Sequence, residues 1–336
     1  MISKMRNDEQ GSRIGIVMNG SPLFSGGAGS GESEIRRWML ENDWVEAIIA
    51  LPTDLFYNTG IQTYVWLLTN RKDVDRRGKV QLIDASGERF WKSMRKSLGS
   101  KRREIPNEAC DEIARIYAEM LNGDGDWGDV SKIFATTDFG YREIRVERPL
   151  KLAFVITPES LEILREAKPF QRLDDDDQRR VLAALEGLPA DQRSTNRNAF
   201  DKALSAALRR SGVNVGAPVK KAILSALSER DEEADVCTDN KGNPEPDTDL
   251  RDHELVPLNE DWRDYVQREV QPFVPDAWVD QTHTDAQDGG VGRVGYEINF
   301  NRYFYKYVPP KPLEEIDAEL KTLEAEIAGL LQEVVE

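Results

Sequence analysis

Between Arg13 and Gly87 the chain alternates apolar runs with turn clusters so regularly that a sheet is the architecture the pattern dictates. Ile14-Gly15-Ile16-Val17-Met18 stops at Asn19-Gly20-Ser21-Pro22, and Val45-Glu46-Ala47-Ile48-Ile49-Ala50-Leu51 is closed by Pro52. Thr63-Tyr64-Val65-Trp66-Leu67-Leu68-Thr69 is rich in β-branched and aromatic residues, and Lys79-Val80-Gln81-Leu82-Ile83-Asp84 is a fourth candidate strand. Between the first two, Glu32 to Glu41 sets Ile35, Trp38 and Met39 at helical spacing, with Ser30 or Ser33 available as the cap. Continuous apolar strands separated by a helix predict an α/β fold with a mixed or parallel sheet covered on both faces, the run up to Met18 carrying the signature of a buried strand.

Beyond about residue 95 the pattern turns to charged helices. Glu108 to Leu121, Asp177 to Leu188 and Asn198 to Arg210 are the clearest, and Asp138 to Phe154 reads as a hairpin or an extended strap. Residues 235–249 and 282–292, rich in Asp, Asn, Pro and Gly, predict surface loops. From Pro312 to about Val335, Ile316, Leu320, Leu323, Ile327, Leu330 and Val334 recur in steps of four and three, the seam of a coiled-coil-like helix. Such a seam either docks on its own domain or joins another subunit.

Charge and composition narrow the function. At 336 residues, 39% hydrophobic and 32% charged, the chain is long enough for two buried cores. It has no run of about 18 apolar residues and no signal-peptide core, so no membrane partner and a cytoplasmic location are expected. Cys110 and Cys237 form neither a disulfide framework nor a zinc pattern, and metal chemistry is not expected. A net charge of −16 argues against a chain that grips DNA by itself. The segment from Arg71 to Arg103 is nonetheless basic, either as a solvated helix and loop or as a phosphate-facing surface.

Three segments invite a chemical reading. Gly26-Gly27-Ala28-Gly29-Ser30-Gly31-Glu32-Ser33 lies between a strand and a helix, yet Glu32 stands where a phosphate-binding loop needs lysine, so a flexible loop is expected. Asn122-Gly123-Asp124-Gly125-Asp126-Trp127 starts like a calcium loop, but Trp127 replaces the turn glycine and Ile133 the final glutamate, leaving a turn. In Leu55-Phe56-Tyr57-Asn58-Thr59-Gly60-Ile61 the aromatic pair either plugs the base of a loop, with Gly60 at positive φ, or offers a ring face to a planar ligand.

Arg13–Phe24, Gly31–Arg37, Glu46–Pro52 and Leu55–Ile61 resemble the modification (M) subunit of type I restriction-modification systems, an N6-adenine DNA methyltransferase. Further blocks at Asp138–Arg142, Glu147–Leu150, Val274–Trp278, Gly295–Ile298 and Pro309–Ile316 are similar to one branch of that family and extend the resemblance along nearly the whole chain. The resemblance implies the C-terminal half of a Rossmann-like methyltransferase sheet in residues 1–95. A mainly helical region (96–310) and a coiled-coil-like helix (311–336) would follow. It implies transfer of a methyl group from S-adenosylmethionine to N6 of adenine in DNA, with a specificity subunit, a second M subunit and a restriction subunit as partners. In related adenine methyltransferases an aromatic on the loop before the last sheet strand stacks the flipped base; the matching residue is Phe56, with Tyr57 as runner-up.

The sequence also departs from that family. No glycine-rich cofactor loop and no Asn-Pro-Pro-Phe-type motif precedes Arg13, and the one Asn-Pro pair, Asn243-Pro244, lies in an acidic loop. No catalytic, cofactor-binding or metal residue is therefore assigned. Whether the chain is an enzyme by itself stays open: it reads as a truncated, shifted-start or split subunit inactive alone, or as a non-catalytic assembly fragment that binds the specificity subunit.

Overall fold

The computed structural model describes residues 1–123, 127–188, 193–305, 307 and 309–335, the stretch 329–335 as backbone only. The chain divides into two units: Met1–Phe24 with Asp43–Ala135 and Ile298–Glu336, and Ser25–Asn42 with Thr136–Glu297.

The first unit is built on a five-stranded sheet. Its strands are β1 (Arg13–Asn19), β2 (Val45–Ala50), β3 (Thr63–Thr69), β4 (Lys79–Asp84) and β7 (Ser131–Ala135), in the order β1-β3-β2-β4-β7. The sheet is mixed, as the apolar runs predicted: β2 and β4 are parallel and the other pairs antiparallel. Every residue of the central β2 is buried. Helix α3 (Asn107–Ala118) covers one face, where Ile116 and Ala109 pack with Ile49, Leu51, Ile83 and Phe90. Each large apolar side chain so buried contributes about 1.5–3 kcal/mol. A short hairpin of β5 (Lys92–Leu98) and β6 (Lys101–Glu104) branches off after β4.

Two expectations need correction here. The Arg13–Met18 run forms a strand, but not a buried one. Among the described residues it lies last in the sheet order and pairs with β3 alone, so its residues alternate between half-buried and exposed, with Val17 48% exposed. An apolar run specifies a strand, whereas burial depends on which strands flank it. The basic stretch from Arg71 to Arg103 likewise holds no α-helix: it runs through β4 and ends in a hairpin, where Gly99-Ser100 makes a two-residue turn between Leu98 and Lys101.

The expected helix at 32–41 is α2 (Gly31–Glu41), capped by the Ser30 hydroxyl, which accepts from the Ser33 amide at 3.3 Å. It belongs to the second unit and packs along β13 (Arg293–Tyr296). That unit's sheet is centred on β8 (Gly140–Glu147), paired antiparallel with β11 (Asp252–Pro257) on one side and with β12 (Trp278–Val279) and β13 on the other. The expected strap at 138–154 is thus a central strand and a second short one, β9 (Leu152–Phe154), which pairs with β10 (Ser228–Arg230). Helices α4 (Pro158–Glu166), α5 (Lys168–Gln171), α6 (Asp175–Glu186), α7 (Arg197–Arg210) and α8 (Ala217–Leu227) enclose a separate core around Phe154, Leu164, Phe170, Leu185, Leu204 and Ile223. A single turn, α9 (Trp262–Tyr265), packs on the β8 sheet through Trp262 and Tyr265.

Residues 235–249 and 282–292 contain no regular strand or helix, as expected of loops, but both are anchored. Asp247 is buried and receives Arg230 at 2.6 Å, and buried Asp285 receives Arg37 at 3.1 Å. The first unit is completed by α1 (Ser21–Phe24), α10 (Phe300–Phe304) and the long α11 (Leu313–Val335). Among the described residues no helix is long and apolar enough to cross a membrane.

Candidate functional site

Because β3 is antiparallel to both β1 and β2, while β4 is parallel to β2, the strands β1, β2 and β4 run in one direction and end together. The carboxyl end of such strands is where open α/β sheets place ligands. Three turns gather there: Asn19-Gly20 after β1, Leu51 to Gln62 after β2, and Ala85 to Trp91 after β4. At the last of these, Asp84 accepts from the Ser86 amide and hydroxyl at 3.0 and 2.6 Å, and the Trp91 indole donates to the Ser86 carbonyl at 3.1 Å.

The Leu51–Gln62 loop carries the aromatic pair. It starts by pairing Leu51 with Thr63 and then closes on itself: the Asp54 amide donates to the Gly60 carbonyl at 3.3 Å, and Phe56 bridges to Thr59. Gly60 does not adopt the expected positive φ. Asp54 does, at 59°, a left-handed conformation that Asp tolerates better than most residues. Glycine is needed at 60 for closeness instead, since a Cβ there would stand 2.7 Å from Asp54 Oδ1.

Leu55, not its aromatic neighbours, packs into the core under α3. Phe56 is half-buried outside that core, and Tyr57 is 63% exposed. Both rings thus lie on one loop at the carboxyl end of β2, one partly sheltered and one open.

The hairpin supports this loop from below. Arg102 and Arg103 amides donate to the Asp54 carbonyl at 2.9 and 3.1 Å, and the Ser100 amide donates to the Tyr57 carbonyl at 2.9 Å. Arg103 adds a hydrogen bond to the Thr53 hydroxyl at 2.9 Å and lies 3.8 Å over the Trp91 ring. Gly99, at φ 62°, comes so near that a Cβ would meet the Tyr57 carbonyl at 2.6 Å. The sequence carries Arg103 as part of the basic stretch and Asp54 within the strand-to-loop block, but the support that they and Gly99 give the loop has no local signal beyond the Gly-Ser turn.

At the opposite end of β2, buried Glu46 occupies a bulge and is held by Arg13 through two hydrogen bonds of 2.9 and 3.1 Å and by the Tyr117 hydroxyl at 2.9 Å. Burial, then the bond to Glu46, raises the Tyr117 phenol above its ordinary pKa. This cluster satisfies a buried carboxylate and faces away from the aromatic loop, which marks it as structural.

In the second unit the glycine-rich turn before α2 does not fit a cofactor or phosphate. The Arg36 guanidinium engages the Ser25 and Gly26 carbonyls at 2.7 and 3.0 Å and the Tyr296 carbonyl at 2.5 Å, and the Ser30 amide is spent on the Gly27 carbonyl. The expected flexible loop is therefore a tied one. Residues 124–126 of the calcium-like turn lie outside the described residues. Among the described residues no cluster of three or more His, Cys, Asp or Glu side chains could hold a metal.

On α11, Ile316, Leu320, Leu323 and Ile327 are exposed; the side chains of Leu330 and Val334 lie outside the described residues.

Comparison with known proteins finds similarity to one family over the part of the chain that holds this sheet and loop. The N-6 DNA Methylase family model matches residues 1–139, which take in the whole five-stranded sheet and the aromatic loop. Two type I restriction enzyme methylase subunits of Methanocaldococcus jannaschii are similar. MjaVIII is 33% identical over 113 residues, covering 34% of this chain and 18% of that protein; MjaVII is 28% identical over 185 residues, covering 52% and 29%. A solved type I restriction-modification methyltransferase subunit from Streptococcus thermophilus matches at 24% identity and a TM-score of 0.31, covering 38% of this chain and 24% of that one. The resemblance to type I modification subunits seen in the sequence blocks is upheld, and the chain spans less than a third of the length of these curated relatives.

Proposed function

We propose that this chain supplies the target-base side of an N6-adenine DNA methyltransferase of the type I modification-subunit class. The observation that carries the reading is the Leu51–Gln62 loop. Within the segment that matches the family model, it sets half-buried Phe56 and exposed Tyr57 at the carboxyl end of the sheet and outside its core.

The chemistry such a loop serves is positional. The exocyclic amine of adenine is a weak nucleophile because its lone pair is delocalised into the ring, so alignment against the methyl donor carries most of the catalysis. The base must first leave the duplex, and an aromatic face at the pocket repays part of the lost stacking. Phe56 is the stacking residue and Tyr57 closes the outer side. Asp54, Gly60 and the hairpin amides hold the loop in one conformation, which limits the ordering cost when a base arrives.

No group on this chain is assigned to methyl transfer itself. The one glycine-rich strand-to-helix turn is taken up by Arg36, so binding of S-adenosylmethionine belongs to the complete enzyme. There the specificity subunit, a second M subunit and the restriction subunit are the proposed partners.

A second reading, a non-catalytic fragment that binds the specificity subunit, is favoured by the exposed apolar seam of α11. A methylation assay on the reconstituted complex separates the two. Loss of adenine methylation in Phe56→Ala, with assembly and thermal stability retained, supports the first reading; undiminished methylation supports the second.

A further inference from the structure

The hairpin under the aromatic loop is the most basic surface element of the first unit, although the whole chain carries a net charge of −16. From Lys92 to Arg103 it contains Lys92, Arg95, Lys96, Lys101, Arg102 and Arg103 and no acidic residue. Two of these are committed: Lys92 pairs with Glu104 at 3.3 Å, and Arg103 anchors Thr53 and Trp91. Among the described residues Arg95, Lys96 and Arg102 pair with no carboxylate, and all three are exposed.

Their placement follows from the strand pairing. After Ser93↔Arg103 the register slips to Leu98↔Lys101, so the stretch holding Arg95 and Lys96 bulges outward opposite Arg102. Lys101 reaches the other way, with Nζ 5.4 Å from the centre of the Tyr57 ring. Backbone hydrogen bonds from Ser100, Arg102 and Arg103 fix the hairpin to the loop, so the free cations are held at a set distance from the two rings. Isolated surface lysines do not have this order. Arg95, Lys96 and Arg102, which pair with no carboxylate among the described residues, cost the folded state electrostatic repulsion and give it no ion pair in return.

We infer that the β5–β6 hairpin is a phosphate clamp that grips the backbone of duplex DNA beside the base held by the Phe56–Tyr57 loop. The inference rests on the base-pocket reading above. A base stacked on that loop would bring its own phosphates to the side of the hairpin, whose Lys101 Nζ stands 5.4 Å from the centre of the Tyr57 ring. Clustered Lys and Arg bind duplex DNA by releasing condensed counterions, and a local patch does so even on an acidic protein.

The test is binding of the full chain to a short fluorescent duplex, by anisotropy across a series of salt concentrations. Arg95→Ser/Lys96→Ser/Arg102→Ser removes the free cations and leaves the turn and the backbone bonds intact. A control, Lys202→Ser/Arg209→Ser/Arg210→Ser, removes the same charge from exposed positions of α7. The clamp variant should bind at least about tenfold more weakly at low salt, and the slope of log affinity against log salt should fall by about 2–3, while the control stays near wild type. No duplex binding by the wild-type chain, equal weakening in the control, or an unchanged slope in the clamp variant each overturns the clamp. The readout is phosphate binding and not methyl transfer. Unimpaired methylation in Phe56→Ala with a normal clamp slope would therefore end the base-pocket reading alone, and the converse result would end only the clamp.

Discussion

Asp54 and Gly60 lock the aromatic loop: the Asp54 amide bonds to the Gly60 carbonyl at 3.3 Å, while Asp54 Oδ1 occupies the space where a Cβ on residue 60 would lie, 2.7 Å away. Gly60→Ala forces the carboxylate to swing aside and should cost about 1 kcal/mol, the lower end of overpacking penalties. Asp54→Gly removes both the carboxylate and the left-handed strain, so the double variant should recover most of that loss. Denaturant midpoints for the four proteins of this cycle measure the coupling; strictly additive effects would show that the two residues do not oppose each other.

Phe56→Ala in a reconstituted complex should lower adenine methylation by roughly 5- to 150-fold, the equivalent of about 1–3 kcal/mol of base stacking. Tyr57→Ala should cost less, because its ring is the more exposed of the two. The melting temperature of Phe56→Ala should change little, since Leu55 and not Phe56 fills the core below α3. A fall in stability that accounts for the whole loss of activity would return Phe56 to a packing role.

Local signals made much of this structure legible, and nonlocal pairing hid the rest. The strands from Arg13 to Asp84, and the helices at 107–118, 175–186, 197–210 and 313–335, follow from apolar period and turn residues within short windows. The exposure of β1 does not follow from apolar period, because it is set by strand order; its place at an uncovered edge is what the resemblance implies, and among the described residues β1 does lie last in the sheet. The second sheet was hidden for another reason: β8 alternates Ile144 and Val146 with Glu143, Arg145 and Glu147, and its partners β11, β12 and β13 begin more than 100 residues later. Arg145 and Glu147 find Asp280 at 3.2 Å and Arg251 at 2.8 Å, contacts that no local pattern announces. At the proposed site, Phe56 and Tyr57 are nominated by the resemblance, whereas Asp54 and Gly99 act through backbone conformation and close approach, which only the folded chain reveals.

Asp285 should make the second unit acid-sensitive. Burial opposes its ionisation, but the Val294 and Asp288 amides, the Arg37 guanidinium and the Gln287 amide outweigh burial and hold its carboxyl at about 2, below the ordinary 3.8. A depressed carboxyl stabilises the fold fully above its unfolded pKa, and that contribution is lost as pH falls from about 4 through about 2. Asp285→Asn takes one partner from buried Arg37, which keeps Glu41 at 2.9 Å, and should cost about 1–3 kcal/mol at neutral pH while flattening the acid limb of the stability profile. An Asp285→Asn protein with wild-type stability at pH 7 and the wild-type acid limb would refute the assignment.

Removal of residues 312–336 should weaken capture of the specificity subunit in a pull-down. Ile316, Leu320, Leu323 and Ile327 lie exposed on α11, and an apolar seam of this kind is usually covered in an assembly. Single Leu320→Glu or Leu323→Glu substitutions should reproduce the loss without shortening the helix. Capture undiminished in all three variants would remove α11 from the interface.

The chain alone should neither bind S-adenosylmethionine nor methylate DNA. Its glycine-rich turn is tied by Arg36 to the Ser25, Gly26 and Tyr296 carbonyls, and none of its segments matches the Asn-Pro-Pro-Phe-type motif of the resembled family. Among the described residues β1 pairs on one side only, so its outer N–H and C=O groups are free to accept another strand. Such an edge promotes self-association unless it is covered. A polypeptide carrying the glycine-rich and Asn-Pro-Pro-Phe segments of a related modification subunit should therefore bind this chain, suppress its self-association and confer cofactor binding. Calorimetry with S-adenosylmethionine, with and without that polypeptide, checks both halves of the claim. Micromolar binding by residues 1–336 alone would mean that a segment of this chain already forms the cofactor site, and light scattering that stays monomeric would mean that the β1 edge needs no cover.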